Sequence, residues 1–374
     1  MQEVDIASLT TLVLWCAFAL AIVFGAIAQH TRFCTMGAVA DIVSIGDWTR
    51  MRMWVLAMGV AMLGFNSMVG LGWLDASKTI YAAPRLMWLS HLVGGLLFGF
   101  GMVLASGCGS RTLVRIGAGN LKSLLVFVVL AVSAFAALKG ITAVARVASV
   151  DSVALTLTTG QDLPSLLSGV LGLSKARTAL LLGGMIGGAL VAWVASRKEG
   201  RSAEVLIGGV GVGAAVVALW WVSGRLGYVA EDPTTLQQAF VGSVGGRRIE
   251  SFSFVAPIAY TLDWLMYFSD TSQVLTLAIV SVFGVIAGST LIACISKNFR
   301  WEGFRGVEDT ANHIVGAVLM GTGGVTALGC TVGQGVSGVS TLSLGSFIAL
   351  AAIIAGAVSG LRYQLWRVER MGPT

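Results

Sequence analysis

The chain of 374 residues is 56% hydrophobic and only 11% charged, with a mean hydropathy of +0.86. Soluble domains carry about a quarter charged residues, so a soluble globular protein is excluded and an all-α, polytopic helical membrane protein is expected. A net charge of +6 would suit nucleic acid, but in a membrane chain basic residues mark cytoplasmic loops, so the lipid bilayer and no nucleic acid is the expected partner.

A hydrocarbon core takes about 20 apolar residues per helix, and nine stretches reach that length: about 7–28, 52–74, 87–105, 121–139, 178–196, 204–223, 273–295, 310–328 and 342–361. The first ends on Ala26-Ile-Ala28, which has the form of a leader cleavage site. The preceding Met1–Asp5 stretch is acidic where a signal peptide is basic, so the span is read as uncleaved. Five shorter pieces, about 34–45, 109–117, 164–173, 253–268 and 331–339, are too short to cross. Irregular backbone at membrane depth survives only where it is buried or lines a cavity, so these pieces read as re-entrant half-helices. A connector of about 141–177 separates a first half of about 1–140 from a second of about 178–374, both within one transport domain of 1–374. With the N-terminus outside, more than half of the 24 Lys and Arg fall in inside segments, among them Arg32, Arg50, Arg111, Arg115, Arg300 and Arg367. An N-terminus outside and a C-terminus in the cytoplasm follow.

Three of the half-helices directly follow a cysteine set among glycines: Cys34 in Gln29-His-Thr-Arg-Phe-Cys-Thr-Met-Gly37, Cys108 in Ala105-Ser-Gly-Cys-Gly109, and Cys330 in Leu328-Gly-Cys-Thr-Val-Gly333. Gly107, Gly109 and Gly329 let the backbone turn and approach a ligand closely. A helix N-terminus presents free N–H groups and a positive dipole end, which favour an anion. A thiol beside it adds a soft donor. Arg32 and Arg111 are the basic residues nearest these cysteines in sequence. Cys16 and Cys294 lie in apolar helix and read as packing residues.

An internal echo accompanies the cysteines. Gly107-Cys108 after one apolar helix matches Gly329-Cys330 after another, and Phe24-Gly-Ala-Ile-Ala28 ahead of Cys34 matches Phe283-Gly-Val-Ile-Ala287 ahead of Cys294. In a nine-span chain the loops of Cys108 and Cys330 fall on opposite faces, as an inverted repeat requires. The five cysteines contain no C-x-x-C and no spacing to the three histidines that suits a metal, so neither a metal nor another cofactor is expected. No Asp or Glu falls in the interior of the spans, Glu204 standing at the very start of one, which argues against a carboxylate proton relay, and no P-loop is present.

Arg32-Phe-Cys-Thr-Met-Gly37, Gly99-Phe-Gly-Met-Val-Leu-Ala-Ser-Gly-Cys108 and Gly321-Thr-Gly-Gly-Val-Thr-Ala-Leu-Gly-Cys-Thr-Val-Gly-Gln-Gly335 resemble the YeeE/YedE family of sulfur-transport membrane proteins. Phe299-Arg300 and Phe254-Val-Ala-Pro257, the latter placed in a long outer loop, resemble it as well. The resemblance implies a bacterial inner-membrane permease for thiosulfate whose cysteines pass the ion along by hydrogen bonds, a role that falls here on Cys34, Cys108 and Cys330. It also implies a small cytoplasmic sulfur-carrier protein as a partner. The family commonly has two glycines before the second and third cysteines, where this chain has Ser106 and Leu328 in the first of those positions. The expected function is uptake of thiosulfate or a related small sulfur-containing anion without catalysis. The alternative is a membrane thiol oxidoreductase or sulfur-transfer protein, which would want an accessible low-pKa cysteine pair.

Overall fold

A computed structural model describes residues 6–232, 236–304 and 306–371. The acidic stretch of Met1–Asp5 and the basic residue Arg305 lie outside them. The described chain is built from α1 (Ile6–His30), α2 (Thr35–Ile45), α3 (Thr49–Gly70), α4 (Trp88–Leu104), α5 (Gly109–Gly117), α6 (Leu121–Lys139) and α7 (Ile141–Ala148). These are followed by α8 (Leu163–Leu171), α9 (Lys175–Ala195), α10 (Ala203–Trp221), α11 (Ala256–Met266), α12 (Leu277–Ile295), α13 (Val307–Thr326) and α14 (Leu344–Met371). A π-helical segment, Gly333–Gly338, lies between the last two. Among the described residues extended pairing comprises two short antiparallel ladders, β1 (Arg85–Leu86) on β2 (Leu155–Thr156) and β3 (Tyr228–Val229) on β4 (Ala239–Phe240), and three isolated bridges.

Eight of these helical segments are long and apolar enough to cross a membrane, so the chain is an all-α polytopic membrane protein. The expected ninth span is the 20-residue helix α13, whose first turns carry Glu308, Asp309 and His313 and lower its hydropathy. Asp309 is held there by Lys122 at 2.6 Å, so the polar end of α13 is satisfied by the start of α6. α14 runs ten residues beyond the expected end, to Met371, because its last turns carry Arg362, Arg367 and Arg370 along a helix already in register.

Lipid tails are as apolar as leucine, so these helices associate by close packing, and small residues decide where. Gly25 of α1 faces the Val285 backbone of α12, and Gly288 of α12 faces Ile22 in return. Gly94 and Gly101 of α4 face Gly323 and Gly316 of α13. Gly99 of α4 meets Ile353 of α14, and Gly321 of α13 meets Ser133 of α6. The matched Phe-Gly-x-Ile-Ala runs of the sequence are therefore two faces of one contact. The positional echo does not extend to Cys294: it lies within α12 and is exposed, while the left-handed residue that closes that helix is Lys297 (φ 54°).

α4, Cys108, α5 and α6 repeat in order as α13, Cys330, the π-helical segment and α14. α4 packs on α14, α13 packs on α6, and α4 and α13 cross each other. The segment before α11 departs from expectation. Rather than an outer loop, it enters the core, with Phe252 and Phe254 fully buried against Phe24 at ring-centroid distances of 4.9 and 5.3 Å.

Candidate functional site

The three motif cysteines stand at the same kind of corner. Each follows a helix closed by a residue in the left-handed region two positions earlier: Arg32 (φ 52°), Ser106 (φ 57°) and Leu328 (φ 59°). Each helix end is sealed by a backbone bond reaching back five residues: Phe33 N–H to Ala28 at 3.1 Å, and Gly107 to Met102 and Gly329 to Gly324, both at 2.8 Å. The residue that closes each helix is thus not a glycine, although Gly329 after Leu328 also has a positive φ of 159°. Gly107 and Gly329 instead clear room: a Cβ on Gly107 would stand 3.2 Å from Arg111 Cγ, and one on Gly329 would stand 3.1 Å from Gln334 Cγ. Gly109 meets Phe254 only at ordinary contact, 3.6 Å.

After the corner, each cysteine heads the next helix. Cys34 and Cys108 are the N-caps of α2 and α5, and the Cys330 carbonyl accepts from Gln334 N–H at 2.7 Å. Gly37 N–H donates to Cys34 Sγ at 3.4 Å and Gly333 N–H to Cys330 Sγ at 3.3 Å. Serine, threonine and aspartate are the usual helix caps, and sulfur is a weaker acceptor. A sulfur that accepts from the helix start still carries an S–H that can donate elsewhere, as at Cys34 and Cys330; Cys108 heads its helix without such a bond.

Two cavities flank these thiols. The first, about 410 Å³, is lined by Cys34, Arg32, Arg50, Ser106, Arg111 and Arg300, among others. The second, about 520 Å³, is lined by Tyr81, Arg85, Arg248, Glu250, Leu328 and Gly329, among others. They sit at opposite ends of the bundle. α4 begins beside the second at Met87 and is followed at its far end by Ser106 in the first; α6 starts after Asn120 in the first and reaches the second at Leu138; α12 opens on the second at Leu277 and is followed by Asn298 in the first.

Between the cavities the Cys34 and Cys108 thiols stand next to each other. Cys108 Sγ lies 3.3 Å from Ser110 Oγ, with the Cys34 thiol and the Thr331 side chain close by; the buried Thr331 hydroxyl itself has no hydrogen-bond partner among the described residues. Cys330 is 0% exposed, held against the backbone of Gly333 and Phe254. The Tyr81 hydroxyl donates to Gly333 O at 2.8 Å and brings its ring to the inner end of the second cavity. Cys16 and Cys294 lie on α1 and α12, away from both cavities.

Arg111 stands beside Cys34, and its Nη1, fully buried, has no hydrogen-bond partner. A buried donor without a partner is costly unless a ligand supplies the acceptor. Arg32 is exposed at the cavity mouth. Arg115 braces the corner itself, donating from Nη1 to Ser106 O at 3.1 Å, and Arg50 is paired with Asp41 at 3.2 Å. Among the described residues no group of three or more His, Cys, Asp or Glu is placed to hold a metal ion. His91 is occupied locally, its Nδ1 3.2 Å from Ala327 O.

Sequence reasoning named Arg50 and Arg300 only as basic residues of inside segments, and it missed Tyr81, Thr331 and Glu250; the signals available were the Phe299-Arg300 pair and the position of Thr331 next to Cys330.

A family profile described as Sulphur transport matches residues 30–359. The chain is 25% identical over 353 residues to the thiosulfate transporter TsuA of Spirochaeta thermophila, covering 92% of this chain and 96% of that protein. It is 24% identical over 343 residues to the thiosulfate transporter TsuA of Escherichia coli, covering 89% of each. A 94-residue stretch is 33% identical to the probable transporter YedE of Salmonella typhimurium, covering 25% of this chain and 21% of that protein.

Proposed function

Because the chain belongs to the sulphur transport family, we infer that it is an inner-membrane permease for thiosulfate or a related small sulfur-containing anion, and that Cys34, Cys108 and Cys330 carry the ion between the two cavities. The observation that carries this reading is the placement of three helix-start thiols, two of them (Cys34 and Cys330) capping through sulfur, by or between cavities at opposite ends of one bundle. Thiosulfate matches that lining in two ways. Its terminal sulfur is a soft acceptor for S–H, and its oxygens suit helix N–H groups and guanidinium. Several weak contacts in series let an ion enter and leave, whereas one strong site would hold it.

The arginine-rich cavity faces the cytoplasm in this reading, since basic residues collect on that side. The N-terminus is then outside and the C-terminus inside. The repetition of α4–Cys108–α5 as α13–Cys330–π segment is the inverted pair that brings a half-helix start toward the midplane from each face. A small cytoplasmic sulfur-carrier protein receiving the product at the arginine-rich mouth completes the proposal. The test is growth of a host lacking sulfate and thiosulfate uptake, supplied with thiosulfate, sulfite or sulfate as the single sulfur source. Growth on thiosulfate that depends on this chain supports the reading; no growth with the protein correctly inserted sinks it.

The proximity of the Cys34 and Cys108 thiols favours a second reading, sulfur transfer through a covalent persulfide. Thiosulfate labelled separately at its two sulfurs separates the readings. A permease delivers both labels inside in equal amounts, whereas a sulfur-transfer protein leaves the sulfite label outside.

A further inference from the structure

We propose that Glu250 is a proton-binding site in the second cavity and that protonation of its carboxyl admits the anion, so that transport is proton-linked; this rests on the reading of the chain as a sulfur-anion permease. In the sequence Glu250 belongs to a long loop between spans, where a charge is ordinarily solvated. The fold brings that loop back into the bundle. Ile249 N–H bonds Lys78 O at 3.1 Å, and Ser251 Oγ bonds Val216 O at 2.9 Å. Glu250 itself is clamped by Ser223, whose hydroxyl donates to Glu250 O at 2.6 Å and stands 3.2 Å from its N–H.

The carboxylate is thereby fixed on the cavity wall with little support for its charge. Oε1 accepts from Val244 N–H at 3.0 Å, and among the described residues neither oxygen has a Lys, Arg or His within ion-pair distance. The titratable and charged groups sharing the cavity are Tyr81 and Arg85 from the segment ahead of α4, Tyr260 from α11, and Arg248 from its own loop. α6, α12 and α13 present Leu138, Ser281 and Val325, none of which titrates. Arg85 directs Nη2 to Asp151 O at 2.7 Å, on the connector.

A permease for anions gains nothing from an unpaired carboxylate in a cavity that is also lined by Leu328 and Gly329, the two residues ahead of Cys330. Ionised, Glu250 cancels part of the charge of Arg85 and Arg248 and repels a dianion through a low-dielectric wall. Protonated, it leaves the two guanidiniums unopposed and offers an O–H donor. Burial pushes the carboxyl up to about 7, so the exchange of states falls in the physiological range.

The experiment is equilibrium exchange of sulfur-labelled thiosulfate in proteoliposomes, with the same pH on both sides so that orientation does not matter. Thiosulfate stays fully ionised throughout. A single carboxyl titrating near neutrality predicts that exchange by the unaltered chain falls about tenfold between pH 6 and pH 8. Glu250→Gln, which mimics the protonated state, should exchange at a rate independent of pH. Exchange by the unaltered chain that does not change with pH overturns the proposal and leaves the permease reading standing. So does a Glu250→Gln chain that keeps the full pH dependence, or one that inserts normally and exchanges nothing. Should Glu250→Gln fail to insert, Glu250→Asp is expected to retain a pH dependence, and a flat profile for it overturns the proposal. No exchange by the unaltered chain at any pH overturns both readings together.

Discussion

Ser106 and Leu328 hold the same left-handed corner at opposite ends of the bundle, φ 57° and 59°, each two residues ahead of a buried cysteine and each lining a different cavity. An L side chain there is strained, and glycine is not. Strain retained at both corners points to the side chains that they project into the two cavities.

Ser106→Gly should stabilise the protein by roughly 0.5–1 kcal/mol, the relief of a left-handed residue less the extra entropy of an unfolded glycine. Leu328→Gly should gain less, because its half-buried side chain gives up apolar contact. Thermal unfolding in detergent reads both. A lower midpoint for Ser106→Gly would show that the corner is not strained.

Alanine at Cys34, Cys108 or Cys330 should lower thiosulfate uptake about tenfold or more, the loss of one hydrogen-bond partner to a charged group. Serine at Cys34 or Cys330 should restore the cap and the fold without restoring uptake, since oxygen is a better cap but a harder partner for sulfur. Cys16→Ala and Cys294→Ala should be silent. Full uptake by the serine variants would reduce the thiols to structural caps.

Arg111→Gln should cut uptake while the protein still inserts, because it removes the charge whose buried Nη1 has no partner within the chain. Arg115→Ala should act differently. It removes the bond to Ser106 O, and a lowered thermal midpoint should accompany any loss of uptake. Equal loss of stability in the two variants would assign Arg111 a merely structural role.

A reporter fused after Thr374 should be active only in the cytoplasm. Membrane-impermeant thiol reagents applied from that side should label Cys34, which is partly exposed, and thiosulfate should protect it. Cys330, with no exposed surface, should remain unlabelled from either side. Labelling of Cys34 only from the periplasmic side would invert the topology.

Stability should also depend on pH through Glu250, whose carboxyl burial pushes from 4.5 to about 7. The folded state then binds the proton more tightly than the unfolded chain. The resulting stabilisation is fully present below about pH 4.5 and is lost as pH rises through about 7. The thermal midpoint should therefore fall between pH 6 and pH 8, and Glu250→Gln should flatten that fall and exceed the unaltered chain at pH 8. Parallel profiles for the two chains would place the titration elsewhere.

The sequence by itself determined what depends on runs of neighbouring residues. Apolar length marked the long helices, and brevity marked α2, α5, α8, α11 and the turns after Cys330, because a hydrocarbon slab sets a minimum length that composition alone can meet or miss. The three cysteines were legible for the same reason: glycine, cysteine and a short helix stand next to one another in the chain. Only the tertiary structure decided what meets across distance. It made the helix-closing residue Ser106 or Leu328 rather than the neighbouring glycine, because helix closure, not residue type, sets where the chain must reverse. It carried Phe254 from an expected outer loop to the core, brought Thr331 close to Cys108, and turned Glu250 from a loop charge into the wall of a cavity. Cys294 shows the reverse. A matched motif near it recorded packing between α1 and α12, and nothing local in sequence separates a repeat that faces a cavity from one that faces another helix.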